Sequence, residues 1–315
     1  VVVDAHHHIV FIYRMVAQKK SRNVLSMARI SIGGVPEHYN LPWQLAAERD
    51  IFSSAGLDIS WTVYAGGTGA MTAALNAGEL DLAILLTEGF ISAVHHGLRA
   101  RLAKVYIETP LPWGIYTGAD SMHTEVNFSL PSKFAVSRLG SGSHLMPSIH
   151  ALDCGTQLKD EQFDVVNSLP GAAEQLKAGA SDFFYWEQYM ARPFVQSGHF
   201  RQVGKFAAPW SSFLVVMSED ALEKKKESVL RLLQIMAEEC IRFKQDNACV
   251  IHLSKRFEMT MLEAREWLQY NQWNLGLEVD SRSISLAAEA IGKLMSTRIQ
   301  IDHHKIFAPW VKWRE

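Results

Sequence analysis

The sequence predicts an α/β protein of two similar lobes followed by a helical tail, and three features predict it. One phrase occurs twice, 101 residues apart, as Leu75-Asn76-Ala77-Gly78-Glu79-Leu80-Asp81-Leu82 and Leu176-Lys177-Ala178-Gly179-Ala180-Ser181-Asp182-Phe183. Each copy follows a Gly-bearing loop and runs into an apolar segment, which reads as loop, short helix, Gly stop and buried strand. Beyond Phe213 to Met217, Ser218-Glu219-Asp220 starts a long helix whose Val229, Leu232, Leu233, Met236, Cys240 and Phe243 keep helical spacing. Two α/β lobes facing each other create a cleft, the usual place for a small ligand.

The first lobe opens with a strand over Arg29 to Gly33 and the loop Gly34-Val35-Pro36-Glu37-His38-Tyr39-Asn40. A helix is expected from Leu41 to Ser54, with Pro42 suited to its first turn. Ala55-Gly56-Leu57 stops it, and Asp58 to Tyr64 alternates as the next strand. Gly66-Gly67-Thr68-Gly69 then leads into a helix from Ala70 to Ala77, with Thr68 as its expected cap. Leu80 to Leu86, a helix near Phe90 to His96 and a strand from Arg101 to Tyr106 follow. The second lobe repeats the order: strand Lys133 to Arg138, loop Gly140-Ser141-Gly142-Ser143-His144, a helix through Leu152, strand Phe163 to Asn167, helix Ala172 to Ala178 and strand Asp182 to Trp186. Two further helices are expected in the tail, Thr260 to Asn271 and Ser281 to Ser296.

Composition narrows the function. A net charge of −2 lacks the basic surface that nucleic-acid binding requires, so no nucleic-acid partner is expected. No apolar run reaches the roughly 18 to 20 residues of a membrane-crossing helix. Cys154, Cys240 and Cys249 form no C-x-x-C pair and no even-numbered framework, the usage of a reducing compartment. A cytoplasmic location is the expectation, with a mitochondrial one as the alternative. Residues 1–28 carry His6-His7-His8 and a basic stretch and are expected to lie outside the fold, as a leader or an expression-derived segment.

The loop Gly34 to Asn40 with its helix, Ala55-Gly56-Leu57-Asp58-Ile59, Gly66-Gly67-Thr68 and Asn76-Ala77-Gly78-Glu79-Leu80-Asp81-Leu82-Ala83 carry a family resemblance. Over roughly Arg29 to Phe243 the chain resembles the type II periplasmic-binding-protein fold, in the branch similar to the fungal thiamine-pyrimidine synthase and to bacterial sulfonate, taurine and pyrimidine-precursor binding proteins. The resemblance implies mixed sheets flanked by helices, with residues 29–117 and 212–315 forming lobe 1 and 118–211 forming lobe 2. It implies a helical tail packed on lobe 1, and hinge crossings at Pro112 to Ser121 and Pro209 to Phe213. A solute-binding protein closing over a heteroaromatic or amine-bearing metabolite, such as a thiamine-pyrimidine precursor, is the function it implies. An enzyme of pyrimidine biosynthesis and a sulfonate-type or taurine-type transport receptor with a membrane transporter as partner are the alternatives. The cysteine-rich iron motif of the synthase has no counterpart among the scattered cysteines, and no cofactor is expected.

Ligand contacts in such a cleft come from loops after strands and from helix N-termini. Glu37, His38, Tyr39 and Asn40 form the first candidate group, with a solvated turn as the alternative. Gly67 and Thr68, and Ser141, Ser143 and His144, lie where helix amides meet an anion or merely cap a helix. Neither loop matches a dinucleotide-binding or P-loop pattern. Glu88 follows the strand of the first copy and Glu187, after Trp186, follows that of the second, so the two acids occupy equivalent points. A carboxylate there accepts hydrogen bonds from an amino group, and Trp113, Trp186, Trp210 or Tyr39 stacks on a flat ring. For each single Trp a place in the core is the more frequent outcome. Of the 13 histidines no pair has metal-ligand spacing, and no nucleophile elbow occurs. No catalytic residue and no metal ligand is assigned.

Overall fold

A computed structural model describes residues 29–314. The expectation for residues 1–28 lies outside the described residues. The chain runs through β1 (Arg29–Gly34), β2 (Asp58–Val63), β3 (Leu82–Leu86) and β4 (Ala100–Ile107). It then crosses to β5 (Trp113–Gly118), β6 (Phe134–Val136), β7 (Phe163–Val165), β8 (Phe183–Glu187) and β9 (Phe200–Phe206), and returns in β10 (Phe213–Ser218).

Two five-stranded sheets result, ordered β2-β1-β3-β10-β4 and β7-β6-β8-β5-β9. Their three leading strands are parallel, whereas β10 pairs antiparallel with β3 and β4, and β5 pairs antiparallel with β8 and β9. Each sheet therefore receives its antiparallel strand directly from a crossing. Because Trp113–Gly118 belongs to the second sheet, the first crossing is Glu108–Pro112, earlier than Pro112 to Ser121, and residues 113–117 fall in lobe 2. The second crossing is Ala207–Ser212, and Ser212 N donates to Thr109 O at 3.3 Å, so the two crossings are joined to each other.

The duplicated phrase performs one task in both lobes. Helices Gly67–Asn76 and Leu169–Lys177 stop at Gly78 and Gly179, whose φ values of 74° and 64° are left-handed. A side chain at either glycine would meet no atom, so glycine is needed there for its backbone angle rather than for room. The repeated aspartate then ties the neighbouring strand: Asp81 Oδ2 accepts from Ser31 N at 2.8 Å, and Asp182 Oδ2 accepts from Lys133 N at 2.7 Å.

Some expected elements end differently. The helix expected over Leu41–Ser54 is split into Leu41–Glu48 and Ile51–Ser54, because Asp50 adopts φ 54° between them. Thr68 does not cap its helix. Gly66 takes the cap position without a side-chain bond, while Thr68 Oγ1 accepts from Leu86 N at 3.3 Å. Helices Gln188–Gln196 and Ala248–Phe257, absent from the expectation, carry a Pro193 interruption and a left-handed Glu258 terminus.

The tail packs on lobe 1, where the 27-residue helix Glu219–Gln245 lies against Leu41–Glu48 and helix Ser281–Leu294 lies against Thr87–His95. Ser281–Leu294 also touches Gly142–Asp153 of lobe 2. The chain closes with the two-stranded pair β11 (Glu278–Asp280) and β12 (Lys312–Arg314). The larger of two apolar clusters runs through both lobes, joining Ile32, Ile84 and Phe213 to Ile115, Phe134 and Tyr185, and a smaller one around Tyr116, Phe184 and Phe200 fills the other face of the second sheet. Burial of each such side chain stabilises the fold by about 1.5–3 kcal/mol. Among the described residues no helix is long and apolar enough to cross a membrane.

Candidate functional site

Between the lobes lies a cavity of about 250 Å³, below the range of pockets for drug-sized ligands. Lobe 1 supplies the loop after β1 (Val35, Pro36, Glu37), the helix start Gly67-Thr68, and Ile84 and Leu86 of β3. Lobe 2 supplies Trp113 of β5, Ser137, Arg138 and Ser141 to Ser143 after β6, Asn167 to Leu169 after β7, and Trp186, Glu187 and Met190 around the end of β8. Parallel strands point their C-terminal ends at this space from both sides, which is why their loops line it.

Glu187 is the most constrained polar group of the site. Only 2% exposed, its carboxylate caps helix Gln188–Gln196 by accepting from Met190 N at 2.8 Å. Across the lobe junction Tyr39 OH donates to it at 3.4 Å, and His38 Nε2 stands 3.6 Å away. Burial, aggravated by the neighbouring acid Glu37, pushes the Glu187 carboxyl up to about 8. Glu37, half-buried on the cavity wall, is raised by desolvation to about 7. Burial holds His38 down at about 3, and neither ring nitrogen has a hydrogen bond. We read His38 and Glu187 as a neutral pair at pH 7, since desolvation disfavours charge on both. A second acid beside Glu187 makes the site receptive to an amino group.

Eight of the residues singled out from sequence meet at this cavity: Glu37, Gly67, Thr68, Trp113, Ser141, Ser143, Trp186 and Glu187. Ser141 and Ser143 are occupied internally, since Ser141 Oγ donates to Arg138 O at 2.6 Å and Ser143 Oγ accepts from Ser137 N at 2.9 Å. His38 and Tyr39 stand behind the wall, packed on Trp267 at ring-centre distances of 4.8 and 5.3 Å. Asn40 is buried and locks its own loop by donating to Val35 O at 2.9 Å.

Glu88 and Trp210 do not line the cavity. Trp210 Nε1, in the second crossing, donates to Glu88 Oε2 at 2.9 Å, while Glu88 Oε1 is buried without a partner. The equivalence of Glu88 with Glu187 therefore holds along the chain but not around the cavity. Burial raises the Glu88 carboxyl to about 7. His144 is turned away as well: its Nδ1 accepts from Gly140 N at 3.1 Å and its ring lies 4.4 Å from Phe163.

Sequence reasoning missed Arg138, Asn167 and Met190 on the cavity wall. Arg138 carries only a positional signal, as the one basic residue in the loop that follows the first parallel strand of lobe 2. Among the described residues no three His, Cys, Asp or Glu side chains converge as metal ligands.

Two sheets of this order, joined by paired crossings around a cleft, define the type II periplasmic-binding-protein fold, the architecture of two-lobe solute-binding proteins. Residues 113–206 match the family described as Ca3427-like PBP. The Candida albicans CA3427 gene product, described as defining a new family with the generic periplasmic binding protein fold, superposes with a TM-score of 0.83 at 21% identity, covering 91% of this chain and 99% of that one. The alkanesulfonate-binding protein SsuA from Xanthomonas axonopodis pv. citri, bound to MOPS, gives 0.70 at 14% identity, with 91% and 99% covered. The periplasmic aliphatic sulphonate binding protein SsuA from Escherichia coli gives 0.62 at 16%, with 91% and 92% covered. No curated protein matches the sequence.

Proposed function

We propose that this chain binds a small heteroaromatic or amine-bearing metabolite, of the kind represented by a thiamine-pyrimidine precursor, and closes its lobes over it. The observation that carries the reading is Glu187, a buried carboxylate on the cavity wall beside a second acid, Glu37, and two indoles, Trp113 and Trp186. An amino group gives both acids a donor, and an indole of the cavity wall offers its face to a flat ring. Contacts from both lobes then favour the closed arrangement, because a ligand shifts an equilibrium by its differential affinity for the two states.

A sulfonate-type receptor is the second reading, favoured by Arg138 on the cavity wall and by the likeness to the two SsuA proteins. Thermal unfolding with and without an aminopyrimidine separates the two, since a ligand selective for the native state raises Tm by mass action. The amine reading expects a shift with the aminopyrimidine that Glu187→Ala abolishes. A shift unchanged in that variant removes Glu187 from the site. A cytoplasmic location belongs to the same proposal, on the scattered cysteines, and cell fractionation checks it.

A further inference from the structure

The tail bonds both hinge crossings and also reaches lobe 2. Tyr270 OH donates to Pro110 O at 2.9 Å and Glu108 N donates to Gln272 O at 2.8 Å, which fixes the first crossing. Ser211 N donates to Ser283 Oγ at 2.8 Å, which fixes the second. Lobe 2 is met at two places. Helix Ser281–Leu294 touches Thr87–His95 of lobe 1 and Gly142–Asp153 of lobe 2 together. Helix Met261–Tyr270 presents Glu263, whose Oε1 stands 2.9 Å from Nε of Arg192 on the lobe 2 helix Gln188–Gln196. Glu263 is only 7% exposed, and its other carboxylate oxygen caps its own helix by accepting from Thr260 N at 2.7 Å. Among the described residues Arg192 is its one cationic partner. Helix Gln188–Gln196 starts at Glu187 and carries Tyr189, whose ring lies 5.9 Å from that of His38. His38 in turn packs on Phe257 and Trp267 of the tail at 5.6 and 4.8 Å. This helix cannot draw away from lobe 1 without parting from the tail.

We propose that the tail is a brace across the hinge and that Arg192 with Glu263 is its latch, an ion pair that must break before lobe 2 swings away from the cavity. Separation leaves the Glu263 carboxylate without its cation in a largely dry position, so opening costs more than the loss of an exposed pair. A solute enters or leaves only as often as the latch parts, so this pair sets the exchange rate of the cavity. The latch acts in the same way whether the solute is an amine or an acid. A second ion pair of the tail, bidentate between Arg256 and Glu48 at 2.7 Å, ties it to lobe 1 and crosses no moving boundary.

The test is thiol labelling of the ligand-free protein. Ser143, 1% exposed on the cavity wall, is replaced in a Ser143→Cys, Cys154→Ser parent, because Cys154 is exposed. A fluorescein maleimide, larger than the cavity, then reads how often the lobes part, while the buried Cys240 and Cys249 read unfolding in the same sample. Should Ser143→Cys fail to fold, Ser141→Cys on the same wall takes its place. In the parent the introduced thiol reacts more slowly than an exposed one and faster than Cys240. Arg192→Gln and Glu263→Gln each speed its labelling by at least about fivefold, the factor of about 1 kcal/mol, and Arg192→Lys keeps part of the restraint. Glutamine at 263 still accepts from Thr260 N, so the helix cap survives. The double variant is no faster than the quicker single one, because both act through one contact. Arg256→Gln leaves the labelling unchanged relative to Cys240. Rates unchanged in both Arg192→Gln and Glu263→Gln overturn the latch. An equal acceleration in Arg256→Gln, which would mean general loosening, overturns it too. So does an introduced thiol in the parent that reacts no faster than Cys240, or as fast as an exposed one.

Discussion

Glu187→Gln separates a carboxylate kept for its ligand from one kept for the fold. In the folded protein the Glu187 carboxyl is pushed from 4.5 up to about 8, because it is buried and faces Glu37. Between those values the native state holds a proton that the unfolded chain has released, so this group's contribution to stability is complete below about pH 4.5 and lost as the pH rises to about 8. The full displacement corresponds to on the order of 4–5 kcal/mol. Water entry and local relaxation leave on the order of 2–4 kcal/mol for a single buried ion. Glutamine has the same shape and still accepts from Met190 N, but it carries no charge at any pH. Ligand-free Glu187→Gln should therefore melt with wild type at about pH 5 and roughly 4–8 °C above it at about pH 9. Differential scanning calorimetry at the two pH values decides the matter. A variant that melts below wild type at high pH would mean that Glu187 is ionised and stabilised by His38, and the reasoning from desolvation would be wrong.

Three further outcomes follow from the same geometry. A cationic amine requires ionised Glu187, so its binding expels a proton and tightens by up to about tenfold per pH unit as the pH rises from roughly 6 to 8; calorimetry in buffers of different ionisation enthalpy should register the released proton, and a flat pH profile would contradict this. Gly142→Ala places a methyl 2.5 Å from Trp113 Cη2 and 3.1 Å from Leu86 Cδ1, so it should destabilise the protein by about 1–3 kcal/mol in urea unfolding and weaken ligand binding together. Trp210→Phe deprives the buried Glu88 carboxylate of its indole donor and should cost about 1–3 kcal/mol in stability while leaving affinity unchanged. A loss of affinity there would return Glu88 to the site.

The fold was readable because its signals are local. Gly78 and Gly179 stop equivalent helices with left-handed angles, and Asp81 and Asp182 start equivalent buried strands. Half-legible was the site: a loop after a strand identifies Glu37, Ser141 and Glu187, yet nothing in the phrase Thr87-Glu88-Gly89 reveals that Trp210, over a hundred residues away, has already claimed Glu88. The hinge was misplaced for a related reason. Trp113–Gly118 follows β4 without a helix between them and reads as its continuation, but its pairing partners, β8 and β9, come much later in the chain. Arg138 was overlooked because one basic residue in a loop carries no periodicity. Its meaning comes from the glycines of the other lobe that receive it.

Native mass spectrometry at neutral pH, on the wild-type protein and Glu187→Ala mixed with the aminopyrimidine methanol and its phosphate ester, measures the main claim most directly. A single bound molecule on the wild type, sharply reduced on Glu187→Ala, is the predicted spectrum. Equal occupancy of the two proteins, or several molecules bound without preference, would contradict a ligand held between the lobes by Glu187.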